Sequence, residues 1–277
     1  MSGGWPIGQE VANGSSNGIV LANVCGTAIA SANNAMGSWT TVVASTPSDA
    51  VWMIVQVGGN NVNQNGYQAA INIGVGPAGS EKIICNTLLF NGLAGSSGQY
   101  MSQIYAFPCA IPAKTRISAQ AYSINTTDTM DVSVLLFDGA FTQSEGNCGV
   151  DCYGQSGAIG TLLTSAGAAA KGSYTVLTPS TTRDYCGFFF SGDPAGGSYV
   201  FDAFLLDIAI GAAGSERIIL PDYRIGFQSA GSSCTGYCGY PSPFVPVQVP
   251  ARSQISARIA AINASDTFHV SWYGVYQ

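Results

Sequence analysis

The sequence predicts an all-β chain: two tandem antiparallel β-sandwich domains, jelly-roll-like, made by an internal duplication and preceded by an extended N-terminal arm. The first observation is the repeat. Residues 71–84 read INIGVGPAGSEKII and residues 206–219 read LDIAIGAAGSERII, a shift of 135 with eight of the fourteen columns identical. Residues 111–119 (IPAKTRISA) return as residues 249–257 (VPARSQISA) at a shift of 138. Solenoid repeats run roughly 20–50 residues, so a period this long is that of a whole domain. The second observation is alternation. Val132, Val134 and Leu136 fall on one parity with Asp131 and Ser133 on the other, and Val270 and Trp272 repeat the pattern; period two with β-branched and aromatic residues is the mark of strands. The third is punctuation by Gly- and Pro-rich turns with no amphipathic helix between them, which favours sandwiches or jelly rolls.

Residues 1–25 have no counterpart in the second copy and are rich in Gly, Asn and Ser, so they read as the arm. Trp5, Ile7, Val20 and Leu21 are its apolar residues and the candidates for an interface with a neighbouring subunit, because one Trp buries a large area. Residues 26–140 form the first sandwich, 141–159 a junction, and 160–277 the second sandwich. The runs at 51–57 and 188–190 are continuously apolar, as strands covered on both faces are. The three-residue change of register must be absorbed where 90–109 answers to the longer stretch 225–247.

Only 9% of the 277 residues are charged, and the net charge is −6, against roughly 25% charged in an average globular chain. That shortage of Lys and Arg excludes nucleic-acid binding and an anionic membrane surface as expected partners. No run approaches the roughly 18 apolar residues of a membrane helix. The first residues lack a basic segment followed by an apolar stretch, so no signal peptide is expected.

Several motifs match chemistry by letter. GVGPAG at 74–79 fits the dinucleotide pattern, but a strand-like run follows it where a helix is needed, and the second copy has Ala209 at the first glycine. GSSNG at 14–18 fits a nucleophile elbow without the strand and helix that position one. The single histidine, His269, sits where Asp131 stands in the other copy and reads as a solvated strand residue. The pairs Glu81-Lys82 and Glu216-Arg217 recur at equivalent positions, so a structural role explains them better than a single active site. The sequons at Asn125 and Asn263 occupy the same turn in each copy and serve that turn. No catalytic residue, cofactor or metal is expected.

Cys148 and Cys152 in the junction, and Cys234 and Cys238 in the long insertion, are disulfide candidates by their spacing. Free thiols and one zinc site built from both loops are the alternatives. Tyr237 and Tyr240, with Tyr67, Tyr100 and Tyr153, are loop aromatics able to stack on sugars.

The pairs Gly26-Thr27 and Gly160-Thr161, the triplets 38–40 (SWT) and 173–175 (SYT), and the two repeated segments quoted above together resemble a domain of tailed-bacteriophage virion proteins. The resemblance covers roughly residues 26–137 and 160–276. It implies a non-enzymatic structural component of the virion exterior, of capsid-decoration (cement) or tail-fibre type. Such a protein is made in the host cytoplasm, is released by lysis, and has capsid or tail proteins as partners. A homo-oligomer, a trimer, is expected. A carbohydrate- or receptor-binding module of a phage tail, with a host glycan as partner, is the alternative.

Overall fold

The computed structural model describes residues 8–10, 26–61, 69–90, 102–123, 128–138, 149–154, 160–167, 169–195, 202–227, 241–262 and 265–276. These residues are all-β, with no helix among them. They divide into two compact units: one runs to Asp151 and takes in Val275 and Tyr276, the other runs from Cys152 to Gly274.

The first unit contains β1 (Gly8–Glu10), β2 (Thr27–Asn33), β3 (Ala35–Met36), β4 (Thr40–Val43), β5 (Ala50–Asn61), β6 (Ala69–Val75), β7 (Lys82–Phe90), β8 (Ser102–Ile111), β9 (Ile117–Ser123) and β10 (Thr129–Asp138). One sheet runs β4-β9-β6-β7 and the other β2-β10-β5-β8. Strand β2 joins them. Its first residues pair antiparallel with β10, up to Ala30↔Thr129, and from Ser31↔Ala121 it pairs parallel with β9. A strand that changes sheets is how a sandwich turns its corner. Strand β1, from the arm, lies antiparallel along Leu135 to Phe137 of β10, beyond the stretch of β10 that β2 occupies. Trp5, Ile7, Val20 and Leu21 lie outside the described residues.

A short strand β11 (Gly149–Tyr153) meets β7 through one parallel pair, Val150↔Cys85. The second unit contains β12 (Thr161–Thr164), β13 (Thr175–Thr178), β14 (Gly187–Ala195), β15 (Asp202–Ile210), β16 (Arg217–Phe227), β17 (Ile255–Ala261) and β18 (Thr267–Tyr276). One sheet runs β13-β17-β15-β16, and β12 and β14 each pair with β18.

The duplication reaches the hydrogen-bond register. Strand β4 meets β9 at Thr40↔Ala119, Thr41↔Ser118 and Val43↔Ile117; β13 meets β17 at Thr175↔Ala257, Val176↔Ser256 and Thr178↔Ile255, with the same irregularity. Bulges between Ile71, Ile73 and Gly74 return between Leu206, Ile208 and Ala209. The extra residue of the bulged neighbour is left-handed in both copies, Thr87 at φ 54° and Asp222 at φ 46°. A bulge leaves a backbone N–H without its ladder partner. Here a side chain on the next strand accepts it: Asn72 Oδ1 from Thr87 N at 2.6 Å, Asp207 Oδ1 from Asp222 N at 2.8 Å.

Not every strand is copied. Strand β8 pairs continuously with β5, but its counterpart at 241–250 keeps only the bridges Tyr185↔Val249 and Phe188↔Val245. Those two bridges hold the register of Ala50↔Ile111 and Met53↔Phe107, so the three-residue insertion is taken up before them. Pro241 and Pro243 stand where β8 has Gln103 and Tyr105, and proline supplies no N–H to a ladder.

The cores follow the predicted parity. Ile29, Val55, Ile71, Phe107, Val132 and Val134 fill the first unit, and Phe188, Leu206, Ile208, Ile259, Val270 and Trp272 the second, all fully buried. The opposite parity is not free: Asp131 and Ser133 are buried too. His269 is half-buried, against the solvated position expected, and that burial lowers its imidazole pKa below the ordinary value.

Candidate functional site

The repeated motifs build two facing turns in each unit. In the second unit β15 and β16 are joined by residues 211–216, with Gly211 and Gly214 at φ 118° and 81°. Both values lie where side chains are strongly disfavoured. Across from this hairpin, residues 250–254 lead into β17. Thr181 pins them: its hydroxyl donates to the Pro250 carbonyl and accepts the Ser253 N–H, both at 2.9 Å. Asp184 accepts the Ala251 N–H at 2.7 Å. The first unit repeats these bonds, with Thr46 on Pro112 and Thr115 and with Asp49 on Ala113.

Between the two turns of the second unit lies an open groove of about 540 Å³, lined by residues that include Arg217, Arg252, Ser215, Ser253, Gln254 and Ile210. Arg217 and Arg252 are exposed. Arg252 adopts φ 64°, as does its counterpart Lys114. Left-handed backbone is ordinarily given to Gly or Asn, because a Cβ costs energy there, yet both copies place a cation at it.

Among the differences between the two units at this site, one changes how the turns are tied together. In the first, Arg116 crosses to Glu81, Nη1 to Oε1 at 2.8 Å, and also donates to the Gly76 carbonyl at 3.2 Å and to the Thr41 hydroxyl at 3.0 Å. The Arg116 hydrogen bond holds the Glu81 carboxyl below its ordinary pKa. In the second unit Gln254 stands at the Arg116 position, and Glu216 accepts the Gly214 N–H at 2.9 Å. Glu81 thus bonds across to the facing turn, and Glu216 within its own.

A second charged group lies beneath the bulge of the second unit. Asp207, its side chain only 3% exposed, receives Lys171 Nζ at 2.7 Å and Arg258 Nε at 2.8 Å; Lys171 also meets Asp222 at 2.9 Å. Burial pushes the Asp207 pKa up, but the Asp222 N–H and the Lys171 and Arg258 bonds outweigh it and leave it lowered. The Arg258 guanidinium stacks 4.4 Å from the Tyr174 ring centroid. The first unit has Asn72, Met36 and Gln120 at the positions of Asp207, Lys171 and Arg258. The cluster answers a structural need, the bulge N–H, with a carboxylate and two cations in place of an amide.

Of the sites expected from sequence, Cys148, Cys234, Cys238, Tyr237 and Tyr240 lie outside the described residues. Cys152 is half-buried at the end of β11. Tyr153 is engaged inside its unit: its hydroxyl lies 2.7 Å from that of Tyr185 and 2.9 Å from the Thr182 hydroxyl, and its ring packs 5.8 Å from Trp272. Among the described residues no group of three or more His, Cys, Asp or Glu side chains is placed to hold a metal ion. Sequence reasoning passed over Arg217 and Arg252. The signal for them was the basic residue kept at the left-handed turn position in both copies.

No protein-family profile matches the chain, and no curated protein matches it. Among solved structures, it is similar to PNGF-II at 9% identity and TM-score 0.39, covering 98% of this chain and 65% of that one. It is also similar to the N-terminal CBM22-1-CBM22-2 tandem domain of Xyn10C from Paenibacillus barcinonensis, at 8% identity and TM-score 0.27, covering 100% and 99%. This chain thus spans just under two thirds of the first of these structures. Likeness of this degree carries no functional argument.

Proposed function

We propose that the chain is a non-enzymatic structural component of a tailed-phage virion, carried on its exterior as a decoration or fibre-type protein and assembled with capsid or tail proteins. The observation that carries this reading is where the signature residues fall. Gly76, Gly79, Pro112 and Lys114, and their second-copy counterparts Gly211, Gly214, Pro250 and Arg252, form the same turns in both units. The motif that carries the phage-protein resemblance is thus a scaffold motif. Asp49, Asp184, Glu81 and Asp207 are committed to bonds that hold turns and bulges, which supports a passive role. A host cytoplasm and release by lysis are part of this proposal, and so is a trimer: a surface with few charges costs little to bury.

Mass spectrometry of purified particles tests the location, with the chain expected at stoichiometric abundance. Deleting residues 2–24 should prevent incorporation. Because that deletion also removes β1, a Trp5→Ser/Ile7→Ser variant separates loss of an anchor from loss of a strand. Full occupancy of the double variant on particles would count against the arm as anchor. Sedimentation at micromolar concentration should show three copies together.

A second reading, a carbohydrate- or receptor-binding module of a phage tail, is favoured by the open groove at Arg217 and Arg252. Saturable binding to a glycan array by the full chain is its expected result.

A further inference from the structure

Gln254 leaves open in the second unit what Arg116 closes in the first. In the first unit one guanidinium spans the two turns and spends its charge on Glu81. In the second, an amide stands there, and among the described residues neither Arg217 nor Arg252 takes a salt-bridge partner. The chain has only nine Lys and Arg residues and a net charge of −6, so two unneutralised arginines on one groove are a strong local exception.

We infer that this groove binds a carboxylate-bearing sugar residue of an anionic polysaccharide. The inference rests on the second of the readings above and names its ligand class. Guanidinium groups meet carboxylates through paired, charge-assisted hydrogen bonds. Ser215, Ser253 and Gln254 offer hydroxyl and amide groups to sugar hydroxyls, and Pro179 and Ile210 offer apolar surface to a ring face. The volume, about 540 Å³, lies within the range of small-ligand sites. A folded acidic protein would need far more surface, roughly 800 Å² from each partner. Arg252 is held at φ 64°, where glycine would be relaxed, as Lys114 is in the first unit.

The test uses the full chain, titrated calorimetrically with short galacturonate oligomers and with a sialic-acid polymer as alternative acidic probes. Neutral galactose oligomers and polyglutamate are the comparison arms. Saturable binding to at least one acidic glycan is expected, weakened on the order of tenfold or more by Arg217→Ala and by Arg252→Gly. Arg252→Gly should leave the melting temperature unchanged or raise it, because glycine adopts that φ freely; loss of binding without loss of stability separates a ligand contact from a structural one. Gln254→Arg should also abolish binding, by reaching Glu216 as Arg116 reaches Glu81. Binding to neutral glycans alone would overturn the acidic ligand and keep the glycan-binding reading, whereas binding to no glycan would sink both. Polyglutamate bound as tightly as the uronate would replace the sugar with an acidic polypeptide. Variants that bind acidic glycans like the parent chain would place the site elsewhere and overturn the inference.

Discussion

The Thr46 hydroxyl donates to the carbonyl oxygen of Pro112 at 2.8 Å and at the same time accepts the Thr115 N–H at 2.9 Å. One buried side chain thus closes a turn 66 residues away. Thr181 does the same for Pro250 and Ser253. Thr46 is 1% exposed and Thr181 2%, while the residues they bond are half-buried or exposed, so each hydroxyl is enclosed and its partners keep some access to water.

Thr46→Val should therefore destabilise the first unit by about 1–2 kcal/mol, the net value of the two hydrogen bonds lost. Thr181→Val should do so in the second. Serine at either position keeps the oxygen and should cost less. Denaturant unfolding of each variant measures this.

Asp207→Asn should destabilise the second unit by roughly 1–3 kcal/mol, because Arg258 loses its counter-ion and Lys171 keeps only the exposed Asp222. Lys171 and Arg258 are 20% and 28% exposed, and solvent screening keeps the loss below that of a fully buried pair. The triple variant Asp207→Asn/Lys171→Met/Arg258→Gln installs the set found in the first unit. It should recover most of the loss, and a triple variant no more stable than the single one would show that the cluster is not a self-contained exchange.

Burial holds the His269 pKa below its unfolded value of about 6.5. As pH falls, the unfolded chain takes up this proton first. The stability tied to a neutral His269 is then complete above about pH 6.5 and is lost as pH drops toward and through the folded pKa. Melting temperature should fall as pH drops below about 6.5, and His269→Gln should flatten that slope. Asp207 and Glu81, both lowered, act in a separate window: their contribution holds above the ordinary carboxylate pKa near 4 and disappears only below it.

Gly26→Ala and Gly160→Ala should each destabilise by about 2 kcal/mol or more. Both glycines have positive φ, and an added Cβ would come within 2.8 Å of the Val132 and Val270 carbonyl oxygens respectively. Thermal melts of the two variants give the comparison, and similar losses are expected because the positions are copies.

Much of this architecture was legible in the amino-acid order. The paired segments announced the duplication, and the parity of Val132 to Leu136 and of Val270 to Trp272 identified the buried faces. The bulges were not legible, because the N–H groups of the left-handed Thr87 and Asp222 are met by Asn72 and Asp207 on the neighbouring strand, 15 residues away in sequence. The Asp207 cluster escaped notice for a similar reason. Lys171, Asp222 and Arg258 are far apart in sequence, and at the aligned positions the first copy shows the uncharged Met36, Thr87 and Gln120. For the groove, the key residue was an exchange, Arg116 for Gln254, whose meaning depends on Glu81 lying within reach. Glu81 and Arg116 stand 35 residues apart, so adjacency in sequence does not display the contact.

Two copies with the same registers pose a problem while the chain is folding, since β15 carries the backbone pattern that β6 uses between β9 and β7. Were β15 to settle there, the Asp207 carboxylate would be enclosed beside Gln120 and Met36 without a cation. Were β6 to enter between β17 and β16, Lys171 and Arg258 would face an uncharged amide. An enclosed charge without its partner costs several kcal/mol, and strand exchange between like domains is a common route to misassembly. The difference between Asn72 and Asp207 thus gives each strand an address, letting two halves of one pattern sort themselves into the right sheets.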